Sequence, residues 1–175
     1  MTPFRISLYA DLNLTLTDAH LGMRMLEYLD PKIAEKAKKI MSEYDRSKRS
    51  RVLSVARMIN GKTIDQLHEA SEKAVKDVNI AGYIANDLKT LKPTILVIWT
   101  DTPRLTVETF RKLKLDPVYN SSGKYIFIKI YATELQQEQG VLTGEVTYMP
   151  DELERHFIQA SEQLEFLREN IELIA

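Results

Sequence analysis

The stretch Ile6–His20, ISLYADLNLTLTDAH, decides how the chain is read. Phe4–Ala10, FRISLYA, is a short apolar run with β-branched and aromatic residues, the pattern of a buried strand. Asp11 stands where that run stops, with Asn13, Thr15 and Thr17 following at alternate positions. An aspartate just past a buried strand is held rigidly and can attack phosphorus or bind a metal. The plainer reading is that the strand ends in a polar turn. Asp18 and AHLGMRMLEYL then open a helix, with an acidic residue near its positive end.

Working outward, Pro31 to about Val78 is helical throughout. PKIAEKAKKIMSEY begins with Pro at a helix start and spaces its apolar residues three and four apart. SRVLSVARMI repeats the spacing, Asn60-Gly61 makes a turn, and Thr63 with Gln66 forms a capping box for the next helix. AGYIANDLKTLKP leads to the strongest strand signal, Thr94–Trp99, TILVIW, which is apolar on both faces. Thr100-Asp101-Thr102-Pro103 ends it, and RLTVETFRKLKL is a helix. KYIFIKIYATEL is a third strand, QEQGVLTGEVTYM a hairpin with its glycines at turns, PDELERHFIQASEQLEFLREN a final helix, and IELIA the beginning of a fourth strand. The order predicts an α/β fold: an open parallel sheet with a helical block after the first strand. Ligands bind such sheets outside the carboxyl ends of the strands, so Asp11 and Thr100 fall at one end. The Thr100 hydroxyl and the next backbone N–H suit a phosphate oxygen.

Composition narrows the setting. The chain has 175 residues, 44% hydrophobic and 28% charged, as in a globular domain. A net charge of -1 gives no electrostatic reason to expect nucleic acid or an anionic membrane. Without cysteine there are no disulfides or thiolate metal sites, and a reducing cytosol is the natural compartment. The N-terminus carries one early Arg and no long apolar segment, so neither a signal peptide nor a membrane span is expected.

DLNLTLTDAH resembles the first motif of the haloacid dehalogenase superfamily, D-x-D-x-T, and most closely that of its phosphoserine phosphatases. INGKTIDQLHEA resembles the Gly-containing helix turn of their four-helix cap, and IANDLKTLKPTILVIWTD the helix and strand leading to the second motif. LKLDPVYNS and ELQQEQGVLTGEV resemble the stretch that follows, so the likeness runs in order from Phe4 to Val146. It implies a Rossmannoid open parallel sheet, with 1–18 and 79–175 as core and 19–78 as a helical cap inserted after the first strand. It makes Asp11 the nucleophile and Thr100 the phosphoryl-binding hydroxyl. Mg2+ would be held by Asp11, by the Asn13 carbonyl and by a later acidic motif.

The chain departs from that pattern in ways that bear on activity. Asn13 replaces the second aspartate, whose proton exchange is typically worth about 10²–10⁴-fold. Asp101 stands where Gly is usual, and Arg104 is the expected partner of its charge. His20 replaces a Glu that contacts the substrate amine, which argues against phosphoserine. The family's Lys after the hairpin is missing, since the last lysine is Lys129, leaving Arg155 as a stand-in or simply a solvated side chain. The acidic loop would follow IELIA, where the sequence ends, so Mg2+ is expected to bind weakly. His68 and His156 lack ligand spacing, Trp99 reads as core, and DRSKRSR (45–51) reads as a solvated helix end or a greeting for an anion. The expected function is an impaired phosphatase-like protein that binds a small phosphorylated molecule or a partner. The alternative is a working Mg-dependent phosphate monoester hydrolase completed by missing residues or another subunit. Homo-oligomerisation is left open.

Overall fold

A computed structural model describes residues 7–90, 95–121 and 127–174. The expected strand positions Phe4–Ile6, Thr94 and Lys124–Ile126, and Ala175, lie outside them. The chain runs β1 (Ser7–Asp11), a five-residue turn (Leu12–Leu16), α1 (Leu21–Leu29), α2 (Pro31–Met41), α3 (Lys48–Met58), α4 (Ile64–Asp77) and α5 (Gly82–Thr90). There follow β2 (Ile95–Pro103), α6 (Arg104–Phe110), a π-type turn (Arg111–Leu115), α7 (Asp116–Ser121), β3 (Phe127–Glu138), β4 (Val141–Tyr148) and α8 (Glu152–Ile174). The sheet order is β1-β2-β3-β4, parallel up to β3 and antiparallel between β3 and β4. The expected α/β fold is what the chain forms.

Both faces of this sheet are covered, which explains why β2 is apolar without alternation. On one face Ala10, Leu96, Ile98, Ile130 and Ala132 join Leu88, Val107 and Phe110 in the main core. On the other, α8 reaches across the strands: the Tyr9 hydroxyl donates to Glu162, and Lys129 pairs with Glu162 at 3.0 Å. Trp99 is buried there as expected, its ring 5.2 Å from that of Tyr131.

Several local expectations are corrected. β2 does not stop at Thr100 but runs to Pro103. Its register jumps from Trp99 opposite Tyr131 to Pro103 opposite Thr133, so β2 bulges by two residues there. The expected strand at IELIA is helix through Ile174, because α8 continues unbroken. Leu164, Leu167, Ile171 and Ile174 keep three- and four-residue spacing with no Gly or Pro between them. The cap of α1 is His20, whose Nδ1 accepts the Met23 N–H at 3.1 Å, and not Asp18. Asp18 instead accepts the Asn79 N–H at 2.8 Å.

Two seams fasten the helices of 19–78 to the rest. At their ends, Thr17 bridges Ile80, and the Ala81 N–H donates to Leu16 O at 2.9 Å. At their midpoint, the β3–β4 hairpin docks on the turn between α3 and α4: Gly61 N–H to Leu142 O and Leu142 N–H to Lys62 O, both 2.8 Å. Thr63 caps α4 in the expected box with Gln66. Gly140 sits at the hairpin turn, but Gly144 lies inside β4 at φ +83, where a Cβ would come within 3.3 Å of Arg57 Cα. Its job is close approach to α3 rather than a turn. A buried bond of 2.8 Å between the Ser71 and Thr106 hydroxyls joins α4 to α6.

Candidate functional site

Asp11 ends β1 opposite Trp99, and the chain then turns sharply through Leu12–Leu16. Leu14 makes that turn with φ +62, a left-handed backbone that costs an ordinary side chain about 1–2 kcal/mol. Strain of this kind persists where surroundings over-determine it, and the surroundings here are polar. The buried Thr17 hydroxyl donates to Ala19 O at 2.6 Å and accepts the Leu14 N–H at 3.4 Å. The turn thereby aims Asn13 at the bulged end of β2.

The side chain of Asn13 ties three elements together. Its Nδ2 donates to Thr102 Oγ1 at 3.0 Å and to Thr100 Oγ1 at 3.3 Å, and its Oδ1 accepts the Gly22 N–H at 3.4 Å. Thr100 Oγ1 also accepts the Thr102 N–H at 3.1 Å. A hydroxyl has two acceptor lone pairs and one proton to give. Both lone pairs of Thr100 are engaged, so its remaining capacity is as a donor. Thr102, 2% exposed, was missed in the sequence, although its place two residues from Thr100 on one face of a strand is the signal that finds it.

Asp11 is met by Arg155 Nη1 at 2.7 Å, and the same guanidinium lies 5.8 Å from the centre of the Trp99 ring. Arg155 is therefore held by two partners, and the expectation of a merely solvated residue is corrected. Arg104 does not pair with Asp101 but with Glu134 at 2.8 Å, and it donates to Ile130 O at 2.9 Å. The β2 bulge turns Asp101 elsewhere, toward a cleft and a chamber. The cleft, about 250 Å3, is lined by Thr100, Asp101, Lys48, Arg49 and residues 149–152. The basic run 45–51 divides there. Arg46 and Arg51 are tied within the helices, while Lys48 and Arg49 border the cleft. His68 pairs with Glu72 at 3.5 Å on the exposed face of α4, away from these residues.

His20 lines the neighbouring chamber with Asp101. Burial pulls its pKa below the ordinary 6.5, partly opposed by the Asp101 carboxylate. The unfolded chain therefore takes up a proton that the folded chain resists. Stability from the neutral imidazole is full above about pH 6.5 and is lost as pH falls toward the folded-state pKa. Protonation also removes the Nδ1 acceptor that caps α1. Thermal melts between pH 7.5 and 5.5 should show a fall in Tm that His20→Asn, which keeps a good cap, reduces. Equal falls in both proteins would exclude His20 as the titrating group.

No family model matches the sequence, and no curated protein does. Solved structures do match. A phosphoserine phosphatase captured as a phospho-aspartyl intermediate analogue shares 17% identity over 81% of this chain and 62% of its own, with TM-score 0.58. An apo phosphoserine phosphatase shares 17% over 92% of this chain and 72% of its own, with TM-score 0.59. A haloacid dehalogenase family hydrolase from Salmonella enterica serovar Typhi shares 10% over 94% and 54%, with TM-score 0.64. The chain thus spans a little under two thirds of the first of these and about half of the last. At these identities the likeness concerns the fold, and the chain has the haloacid dehalogenase fold in the form found in phosphoserine phosphatases.

Proposed function

We propose that this protein binds a small phosphorylated molecule at the Asp11–Thr100 end of the sheet and turns it over poorly. The observation that carries this reading is the amide of Asn13. By donating to Thr100 it leaves that hydroxyl as a donor for an incoming oxyanion, in a cleft that Lys48 and Arg49 share with the carboxylates of Asp101, Asp151 and Glu152. As an amide it has no proton to exchange with a leaving oxygen, so the acid/base step is lost. Asp11 stands in the nucleophile's place, adding no measurable turnover without an acid/base partner, and Arg155 supplies the charge beside it.

Asp11 and the Asn13 carbonyl are the donors the resemblance assigns to Mg2+. Mg2+ usually keeps several waters and is held by one or two carboxylates with a substrate phosphate, so this pair offers it a weak site. Among the described residues no three carboxylates or imidazoles cluster, and Asp11 already faces a guanidinium. We further assign 19–78 as the cap and the remainder as the core, since Thr17–Asp18 and Asn79–Ala81 lie side by side where the block joins the sheet. A cytosolic setting accords with the absence of cysteine, and a net charge of -1 gives nucleic acid no hold. No helix among the described residues is long and apolar enough to cross a membrane.

An aryl phosphate screen with and without Mg2+, beside Asp11→Asn, tests turnover. Wild type and variant are expected to hydrolyse the ester at similar low rates, whatever the Mg2+ concentration. Thr100→Val should weaken orthophosphate binding about tenfold, the lower end for a hydrogen bond to a charged group. A fast, Mg2+-dependent rate abolished by Asp11→Asn would overturn the reading. It would favour a working hydrolase completed by residues outside this chain, which the partial span of the matched structures leaves room for.

A further inference from the structure

Beside the cleft lies a second space of about 70 Å3 between α1, α3 and the ends of β2 and β3. Its walls are apolar, with Met23, Met41, Val55, Ile59 and Leu135 among them. Asp101 belongs to this chamber and to the cleft that Thr100 borders, so the two adjoin through one residue. We infer that the chamber receives the short, uncharged aliphatic group of a phosphate monoester whose phosphate sits against Thr100. This deepens the proposed function and rests on it.

Size and chemistry fix the class. At about 70 Å3 the chamber is about half the cavity of about 150 Å3 that accommodates benzene, which suits a group of two or three carbons. No Lys or Arg lines the chamber, and a substrate carboxylate there would lose its hydration with only Asp101 for a charged neighbour. An amino-acid ester is thereby disfavoured. His20 brings no charge, being held toward its neutral form by burial. The thioether walls adapt to the shape of an aliphatic group.

One polar atom in this wall points to an occupant. Thr133 is 2% exposed, and its Oγ1 has no hydrogen-bond partner among the described residues. It lines both the chamber and the open groove beside α6. An ester or ether oxygen at the mouth of the chamber would satisfy that hydroxyl, whose isolation otherwise stands uncompensated.

Titration calorimetry of the full chain with methyl phosphate, propyl phosphate, phosphoserine and phosphoethanolamine tests the inference without turnover. Propyl phosphate should bind about tenfold tighter than methyl phosphate, the effect of roughly two methylenes leaving water. Val55→Phe, which fills the chamber from α3, should bring the two alkyl esters to the same affinity. Equal binding of the alkyl esters by wild type overturns the inference and leaves the anion site standing. So does a preference for phosphoserine or phosphoethanolamine, or a propyl preference that survives Val55→Phe. Failure of every ester to bind overturns the inference together with the reading beneath it.

Discussion

Asn13→Asp is expected to raise kcat on an aryl phosphate about 10²-fold, and to make the rate depend on Asp11. General acid–base catalysis is typically worth about 10²–10⁴-fold, and the lower end applies where no metal site shares the charge. The backbone needs no change, because Asn13 already sits at φ -69, ψ 125, an extended conformation that Asp adopts freely. There is an opposing effect. A carboxylate at 13 accepts the Thr100 proton that the amide leaves free for the ligand. Losing one hydrogen bond to a charged group costs about 1.5–3 kcal/mol, or about tenfold and more in KM. At low substrate concentration, where the rate follows kcat/KM, a loss of about tenfold in KM leaves a net gain of about tenfold, and the full gain shows only at saturation. Steady-state kinetics that separate kcat from KM read both effects. An unchanged kcat would show that more than the acid/base group is missing.

The sequence made the architecture legible where local pattern and tertiary environment agree. TILVIW reads as a strand covered on both sides, and α8 and the α5–α6 layer cover it. The Thr63–Gln66 box reads as a helix start because both halves of its bonding lie within four residues. The reading failed where one pattern serves two structures. IELIA is a five-residue segment with four apolar residues, too short to tell strand from helix by itself, and the preceding turns of α8 decide it. Thr100-Asp101-Thr102-Pro103 has the composition of a turn, but pairing of Pro103 with Thr133 across the bulge keeps it in the sheet.

The site divides along the same line. Asp11, Asn13 and Thr100 are legible from their place at strand ends, and the fold brings Asn13 onto Thr100 from 87 residues away. Arg155 meets Asp11 across 144 residues, a pairing that no local rule encodes. Asp101 and Arg104 lie close in sequence, yet Arg104 takes Glu134 from the neighbouring strand. Proximity along the chain was a poor guide once a bulge intervened.

Gly22→Val should destabilise the fold by about 3 kcal/mol and detach the turn after β1 from β2. A Cβ at position 22 would lie 2.7 Å from Thr102 Oγ1, closer than real Cβ atoms come. Thr102 is 2% exposed and bonded to Asn13, so it has nowhere to withdraw. Replacing Gly with Ala inside a helix ordinarily gains about 1 kcal/mol, and a β-branched residue gains less. Overpacking costs about 1–3 kcal/mol, and displacing Thr102 removes hydrogen bonds worth about 1 kcal/mol each. The clash wins. For a chain of this length, about 3 kcal/mol lowers Tm by roughly 6–12 °C. Thr102→Ala removes the obstructing hydroxyl, so the double variant should lose clearly less than the sum of the single losses, the mark of residues in contact. Additive losses would mean that α1 does not pack against the end of β2 through Gly22. Phosphate affinity should fall in Gly22→Val even well below its Tm, because Asn13 no longer holds Thr100 as a donor. That fall separates a role in positioning the site from a role in stability alone.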